Sequence, residues 1–282
     1  MSLKSEWKKV EAWFRNVRIA WKSGGAKAAA EAARNVGVGT AGGLPNPSLA
    51  SCWEGKNASR RHMNELSGKM GDEEVAARLD WAKGRGCNTV HWFLVNQGDG
   101  EGAGYSIYGG APTLGRVDEG AVARMARRCE MARERGLAVV LWLLADDSAK
   151  WNKSILGNPG QFAADLAATG LLKHASAVVL GLEMDEYIGS GQASALAAAV
   201  RGVWSGTVGT HHTSGKGTFA GLGDVVFWQL NPGKSASEVA AAVATAKKAT
   251  GKPVVMFEIA REPARGLCEA AIGAGAIGVG NW

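Results

Sequence analysis

From Leu49 onward, short apolar runs alternate with longer stretches in which apolar residues return every three or four positions. The runs are Thr89–Val95 (TVHWFLV), Ala138–Leu144 (AVVLWLL), Ala177–Leu182 (AVVLGL), Gly206–Thr210 (GTVGT), Asp224–Leu230 (DVVFWQL), Pro253–Phe257 (PVVMF) and Ala276–Gly280 (AIGVG). They are brief, rich in β-branched residues and almost unbroken in their apolarity. That is the pattern of strands covered on both faces of a parallel sheet. A first strand near Leu49–Trp53 completes a set of eight.

The stretches between the runs read as helices. Asp72–Arg85 ends at Gly86, Val117–Arg135 at Gly136, and Ser235–Thr250 at Gly251. The last opens with Ser235-Ala-Ser-Glu238, a capping box. Eight strands in strict alternation with helices predict an α/β fold, a closed (β/α)8 TIM barrel, with an open doubly wound sheet as the alternative. The 282 residues suit one such barrel. Trp282 falls just past the eighth run, so an N-terminal helix is expected to take the place of the eighth helix.

The first residues follow a different rhythm. Trp7, Val10, Trp13, Phe14, Val17 and Trp21 mark one helical face, with Lys8, Lys9, Arg15, Arg18 and Lys22 elsewhere on the wheel. An Ala-rich helix at Ala26–Asn35 and a Gly/Pro-rich linker at Val36–Pro47 follow. Residues 1–47 therefore read as a basic helical arm and linker, and residues 48–282 as the barrel. The arm either packs on the barrel wall or contacts a partner protein or membrane surface.

Charge sharpens this division. The net charge is +6, yet residues 1–35 hold eight Lys/Arg against three Asp/Glu, so the rest is nearly balanced. A broad nucleic-acid surface on the barrel is excluded on that ground. No apolar run reaches transmembrane length, and Met-Ser-Leu-Lys leads into a charged amphipathic stretch without an apolar leader core. The expectation is a protein that is cytoplasmic when made and reaches an extracellular polymer by lysis or within a particle. Cys52, Cys87, Cys129 and Cys268 form no CxxC pair and read as four separate, mostly buried thiols.

In a barrel of this type the chemistry sits at the C-terminal strand ends. The polar residues following the eight runs are, in order, Glu54 and Asn57; Asn96, Gln97 and Asp99; Asp146 and Asp147; Glu183, Asp185, Glu186 and Tyr187; His211 and His212; Gln229 and Asn231; Glu258; and Asn281 with Trp282. The ring is rich in carboxylates, amides and Trp, with no basic cluster for a phosphate. His211-His212 and His91 lack the His-x-His and the strand-six His of a metal-dependent amidohydrolase, so no metal and no other cofactor is expected. Glu186 and Glu258 follow strands four and seven, nearly opposite across the ring, and can converge over the mouth. Two carboxylates about 5 Å apart suit a retaining glycosidase, one as acid and one as nucleophile. The other possibility is a pair of solvated or salt-bridged rim residues, with Arg261 at hand for Glu258. Trp228 and Trp282 suit sugar stacking, whereas Trp92 and Trp142 read as filling of the barrel interior.

Gly181-Leu-Glu-Met-Asp-Glu186 and Val254-Val-Met-Phe-Glu258 resemble the strand-four and strand-seven signatures of clan-A retaining glycoside hydrolases. That resemblance implies Glu186 as acid/base, Glu258 as nucleophile and Trp282 as a sugar-stacking residue. Asp185 stands where the clan usually has an Asn that binds the sugar 2-hydroxyl. A register one turn earlier makes Glu183 the acid. Asp185, Tyr187, His211, Trp228, Gln229, Asn96, Glu54 and Trp282 are the candidate substrate-binding residues. The segments CWEGKNASRRHMNELS and NQGDGEGAGYSIYGG resemble bacteriophage-encoded proteins. The sequence thus leads to a retaining glycoside hydrolase of a bacterial cell-wall or surface polysaccharide. The alternative is a non-catalytic carbohydrate-binding or particle-associated barrel.

Overall fold

A computed structural model describes residues 71–84, 87–97, 105–145, 149–213, 215, 217–231, 233–259 and 265–280. The arm, the linker and the first expected strand, with Glu54, lie outside the described residues, as do Asp99, Asp146, Asp147, Asn281 and Trp282.

Seven parallel strands form one sheet in chain order: β1 (Thr89–Phe93), β4 (Ala138–Trp142), β5 (Ala177–Val179), β6 (Thr207–His212), β7 (Val225–Gln229), β8 (Val254–Phe257) and β9 (Gly278–Val279). Helices connect them: α2 (Glu119–Glu134), α3 (Ala149–Gly157), α4 (Pro159–Thr169), the short α5 (Met184–Tyr187), α6 (Ser190–Val203), α7 (Ala236–Thr250) and α8 (Arg265–Gly273). Helix α1 (Asp72–Gly84) precedes β1. This is the (β/α)8 barrel the alternation predicts, seen here through seven of its strands. Two short strands, β2 (Val95–Asn96) and β3 (Tyr105–Ser106), add an antiparallel hairpin beyond the end of β1.

Each strand alternates between two apolar layers. On the inner faces lie Phe93, Val140, Trp142, Val179, Phe227, Val255 and Phe257. On the outer faces, Val90, Trp92, Val139, Leu141, Val178 and Val208 meet helix residues such as Leu79, Met125, Phe162 and Leu196. Further round, Val226, Trp228, Val254 and Met256 meet Val239, Val243 and Ala271. Burial on both faces explains why the runs are continuously apolar. The inner layer is crowded with rings, and it is opened by an absent side chain. A Cβ on Gly209 would lie 2.7 Å from the Phe227 ring, so only glycine lets that ring fill the interior.

The helix ends follow the sequence closely. Ser235 Oγ accepts from the Glu238 N–H at 3.3 Å, and the Glu238 carboxylate accepts from the Ser235 N–H at 2.8 Å, which is the expected capping box. Asp118 caps α2, and its side chain accepts from the Ala121 N–H at 2.6 Å. Behind the β2–β3 hairpin, buried Asp165 on α4 accepts from the Tyr108 hydroxyl, the Gly115 N–H and Gln161 Nε2 at 2.7–2.8 Å, pinning the segment between β3 and α2.

Three expectations are corrected. Trp92 fills the outer layer, not the barrel interior, because β1 turns its even-numbered residues outward. Strand β6 runs two residues past its predicted end, so His211 and His212 lie inside it. Cys268 is disulfide-bonded, whereas Cys87 and Cys129 are free and buried, so the four-thiol reading fails at Cys268.

Candidate active site

The strand ends differ in how the backbone leaves the sheet. After β5 the chain turns through Glu183 with φ 46° and ψ 41°, and after β8 it turns through Glu258 with φ 54°. These two glutamates are the non-glycine residues with positive φ among the described residues. A side chain in this region costs roughly 1–2 kcal/mol, because its Cβ crowds the carbonyl oxygen. Strain of this kind persists only where surrounding structure enforces it, and it gathers at functional sites. Glu258 is 7% exposed, and Glu183 is half-buried.

The segment after β5 is held on both sides. Leu182 donates its N–H to the Leu144 carbonyl at 2.9 Å, next to β4. Towards β6, the Glu183 N–H donates to His211 Nδ1 at 2.8 Å. Asp185 accepts from the Thr213 N–H and hydroxyl at 3.0 and 3.1 Å. The same hydroxyl contacts the Glu186 carboxylate, so its one hydrogen serves one carboxylate at a time.

Below the mouth sits a floor of rings. His91, Trp142, His211, Phe227 and Phe257 pack with centroids 5.1–6.0 Å apart. Trp142 Nε1 donates to His91 Nδ1 at 2.9 Å. Both histidines therefore use Nδ1 as acceptor and carry their hydrogen on Nε2. Burial pushes each ring down to about 3, so both are neutral at ordinary pH. His211 Nε2 and Gln229 Oε1 are buried and have no hydrogen-bond partner among the described residues. A donor and an acceptor left open in this way near a polar mouth suit hydroxyl groups, which both give and take hydrogen bonds.

The predicted residues sort accordingly. Gln229 and His211 lie on inward positions near the ends of β7 and β6, and Glu258 directly follows inward-facing Phe257 at the end of β8. Tyr187 is 56% exposed at the end of α5, beside the mouth. Asn96 is buried in β2, at the base of the hairpin. Glu186 is exposed, on the short helix α5 beyond β5, and engaged by Thr213. Asp185 gives both oxygens to Thr213 rather than standing open. Trp228 is not at the mouth. It packs outward against Val226 and Met256, its ring 6.1 Å from that of His212, because its neighbours Phe227 and Gln229 take the inward positions. Glu54 and Trp282 lie outside the described residues. Sequence reasoning missed Thr213, since it ended β6 too early. The polar His-His-Thr run after Gly206–Thr210 was the available signal.

Among the described residues no group of three or more His, Cys, Asp or Glu could hold a metal ion, and no helix is long and apolar enough to cross a membrane.

No protein-family model and no curated protein matches the chain. Solved structures do. The chain is 16% identical to the GH113 beta-mannanase AaManA from Alicyclobacillus acidocaldarius over 77% of its own length and 85% of that chain, with a TM-score of 0.54. It is 18% identical to the exo-beta-1,4-mannosidase Op5Man5 from Opitutaceae bacterium strain TAV5 over 75% of its length, with a TM-score of 0.52, and spans 48% of that longer chain. A glycoside hydrolase family 5 structure from Bacteroides vulgatus ATCC 8482 gives 14% identity and a TM-score of 0.55 over 77% of this chain and 56% of the other. At such identities the likeness is one of fold: the chain shares the barrel architecture of these glycoside hydrolases.

Proposed function

We propose that the protein is a retaining glycoside hydrolase of β-linked sugars in a bacterial cell-wall or surface polysaccharide, with Glu183 as acid/base and Glu258 as nucleophile. The observation that carries this reading is the pair of strained, non-glycine left-handed turns at the ends of β5 and β8, each occupied by a glutamate. Glycine would adopt both turns without strain, so the carboxylates are kept for what they do. Glu183 is preferred to Glu186 because it lies nearer the end of β5 and is half-buried, while Glu186 is exposed. The enzymes named above, with their β-mannosidic substrates, support the β-linkage.

In this reading the Glu258 carboxylate attacks the anomeric carbon as Glu183 gives its proton to the glycosidic oxygen, and the C–O bond breaks. Glu183, now ionised, takes a proton from water. The water oxygen attacks the same carbon and releases Glu258, with net retention. Glu183 must hold its proton at working pH to act as the acid. Gln229 and Nε2 of His211 face the sugar hydroxyls, and Tyr187 and Trp282 offer ring faces to neighbouring sugars. If residues 1–47 are an attachment element, deletion of residues 1–35 alters assembly and not turnover.

The test is release of aglycone from a panel of aryl β-mannosides and β-glucosides. Glu258→Gln and Glu183→Gln are expected to lose at least ~10³-fold in kcat, and Glu186→Gln less than ~10-fold. The first anomer seen by NMR is β. Azide added to Glu183→Ala yields the β-glycosyl azide. Inversion, or loss at Glu186 and not at Glu183, refutes the assignment. Sugar binding without release by the unaltered protein leaves a carbohydrate-binding barrel.

A further inference from the structure

We propose that His211 is a positioning residue for the acid/base: through Nδ1 it holds the Glu183 N–H, and with it the left-handed turn that aims the carboxyl at the mouth. This rests on the assignment of Glu183 above.

The bond spans neighbouring strand ends. His211 occupies an inward position of β6 and is 0% exposed, and its Nδ1 lies 2.8 Å from the Glu183 nitrogen. The same ring meets Phe257 edge-on at 5.6 Å, and Phe257 directly precedes Glu258. One side chain therefore bonds the Glu183 turn and packs on the residue that leads into Glu258. Trp142 closes the remaining side at 5.3 Å. The rings around His211 leave it little freedom to tilt, so the acceptor lone pair has a fixed direction.

The chemistry requires the neutral ring. A proton on Nδ1 would occupy the lone pair and release the Glu183 N–H, and the turn would lose its tether. Asp185 favours that proton, while burial and His212 oppose it, and burial dominates. Thr213 holds Asp185 back against the end of β6. Asn puts an uncharged acceptor, Oδ1, where Nδ1 stands. Phe keeps the ring and has no acceptor.

The experiment compares His211→Phe and His211→Asn in the full chain, on β-glycosides of one sugar whose leaving groups run from 2,4-dinitrophenol to a simple alcohol. A poor leaving group needs the acid and a good one does not. His211→Phe is expected to lower kcat/KM about 100-fold for the alcohol and under about threefold for 2,4-dinitrophenol, the cost of an acid displaced by about an ångström. His211→Asn is expected to recover to within about fivefold of the unaltered protein on both. Equal losses across the leaving groups mean a structural role only and overturn the proposal, as does His211→Asn behaving like His211→Phe. Should either variant fold poorly, ¹⁵N NMR of the unaltered protein decides. An unprotonated Nδ1 and a protonated Nε2 from about pH 5 to 8 are required, and the opposite tautomer overturns the proposal. An unaltered protein that cleaves none of the glycosides refutes the glycosidase assignment itself, a result separate from any difference among the leaving groups.

Discussion

Strands β5 and β8 are each entered and left through a left-handed residue, and the two ends make opposite choices. On the entry side, α4 ends at Gly170 with φ 67° and α7 ends at Gly251 with φ 64°. On the exit side stand Glu183 and Glu258. The backbone geometry is alike. Glycine adopts it freely, and a glutamate costs roughly 1–2 kcal/mol there. The entry turns carry no such strain, whereas the exit turns do. The histidines divide in a similar way. His91 and His211, inside the barrel, each spend Nδ1 on a hydrogen bond. His174, in the 3-10 turn Leu171–His174 between α4 and β5, is buried with neither nitrogen bonded among the described residues.

The sharpest way to break this contrast is to make the exit resemble the entry. Glu183→Gly is expected to lose at least ~10³-fold in kcat while Tm holds or rises by about 2–4 °C, read by turnover and calorimetry on the same sample. A clear fall in Tm would show that the turn is not strained.

Acid stability probes the histidines next. Burial holds His91, His174 and His211 down to about 3. The unfolded rings take up protons below about pH 6.5 and the folded ones do not. Their contribution is therefore complete above 6.5 and drains as pH falls towards 3, by about 1.4 kcal/mol per pH unit for each ring. His174→Leu removes one share and breaks no hydrogen bond. Relative to the unaltered protein, it should gain about 2 kcal/mol between pH 8 and pH 5 in urea unfolding. An unchanged difference between those pH values would mean His174 is not neutral when folded.

Gly251→Ala tests the entry side alone. A Cβ there meets nothing within 4 Å, so the cost is backbone strain, roughly 1–2 kcal/mol, or about 2–4 °C in Tm, with kcat unchanged.

The smallest effect concerns Asp165. Burial raises its carboxyl above 3.8 against the pull of its three donors, so the folded chain keeps this proton to higher pH than the unfolded chain. Its contribution to stability declines as pH climbs from 3.8 and levels off once the folded carboxyl ionises. Asp165→Asn should flatten that slope and change stability at pH 7 by under about 1 kcal/mol, provided Gln161 turns its amide.

Much of the fold was legible because strand and helix signals are local. The apolar runs, the Ser235–Glu238 box and the closing glycines at 136 and 251 all stand where the pattern puts them. The site was legible only in outline. The apolar pattern puts His211 and His212 at the end of their strand, and the structure packs both inside β6, fully buried. Trp228 looked like a mouth residue because it lies one position before Gln229, and that one position is the difference between the two faces of a strand.

By itself the sequence determined which segments are strands, which are helices and which carboxylates stand near strand ends, since these follow from periodicity over a few residues. The tertiary structure decided which face each strand turns inward, which glutamate takes the strained turn after β5, and that His211 holds it. Those choices depend on how neighbouring strands are registered and how rings fill the space they enclose, and residues 28 apart in the chain meet only once the sheet has curled.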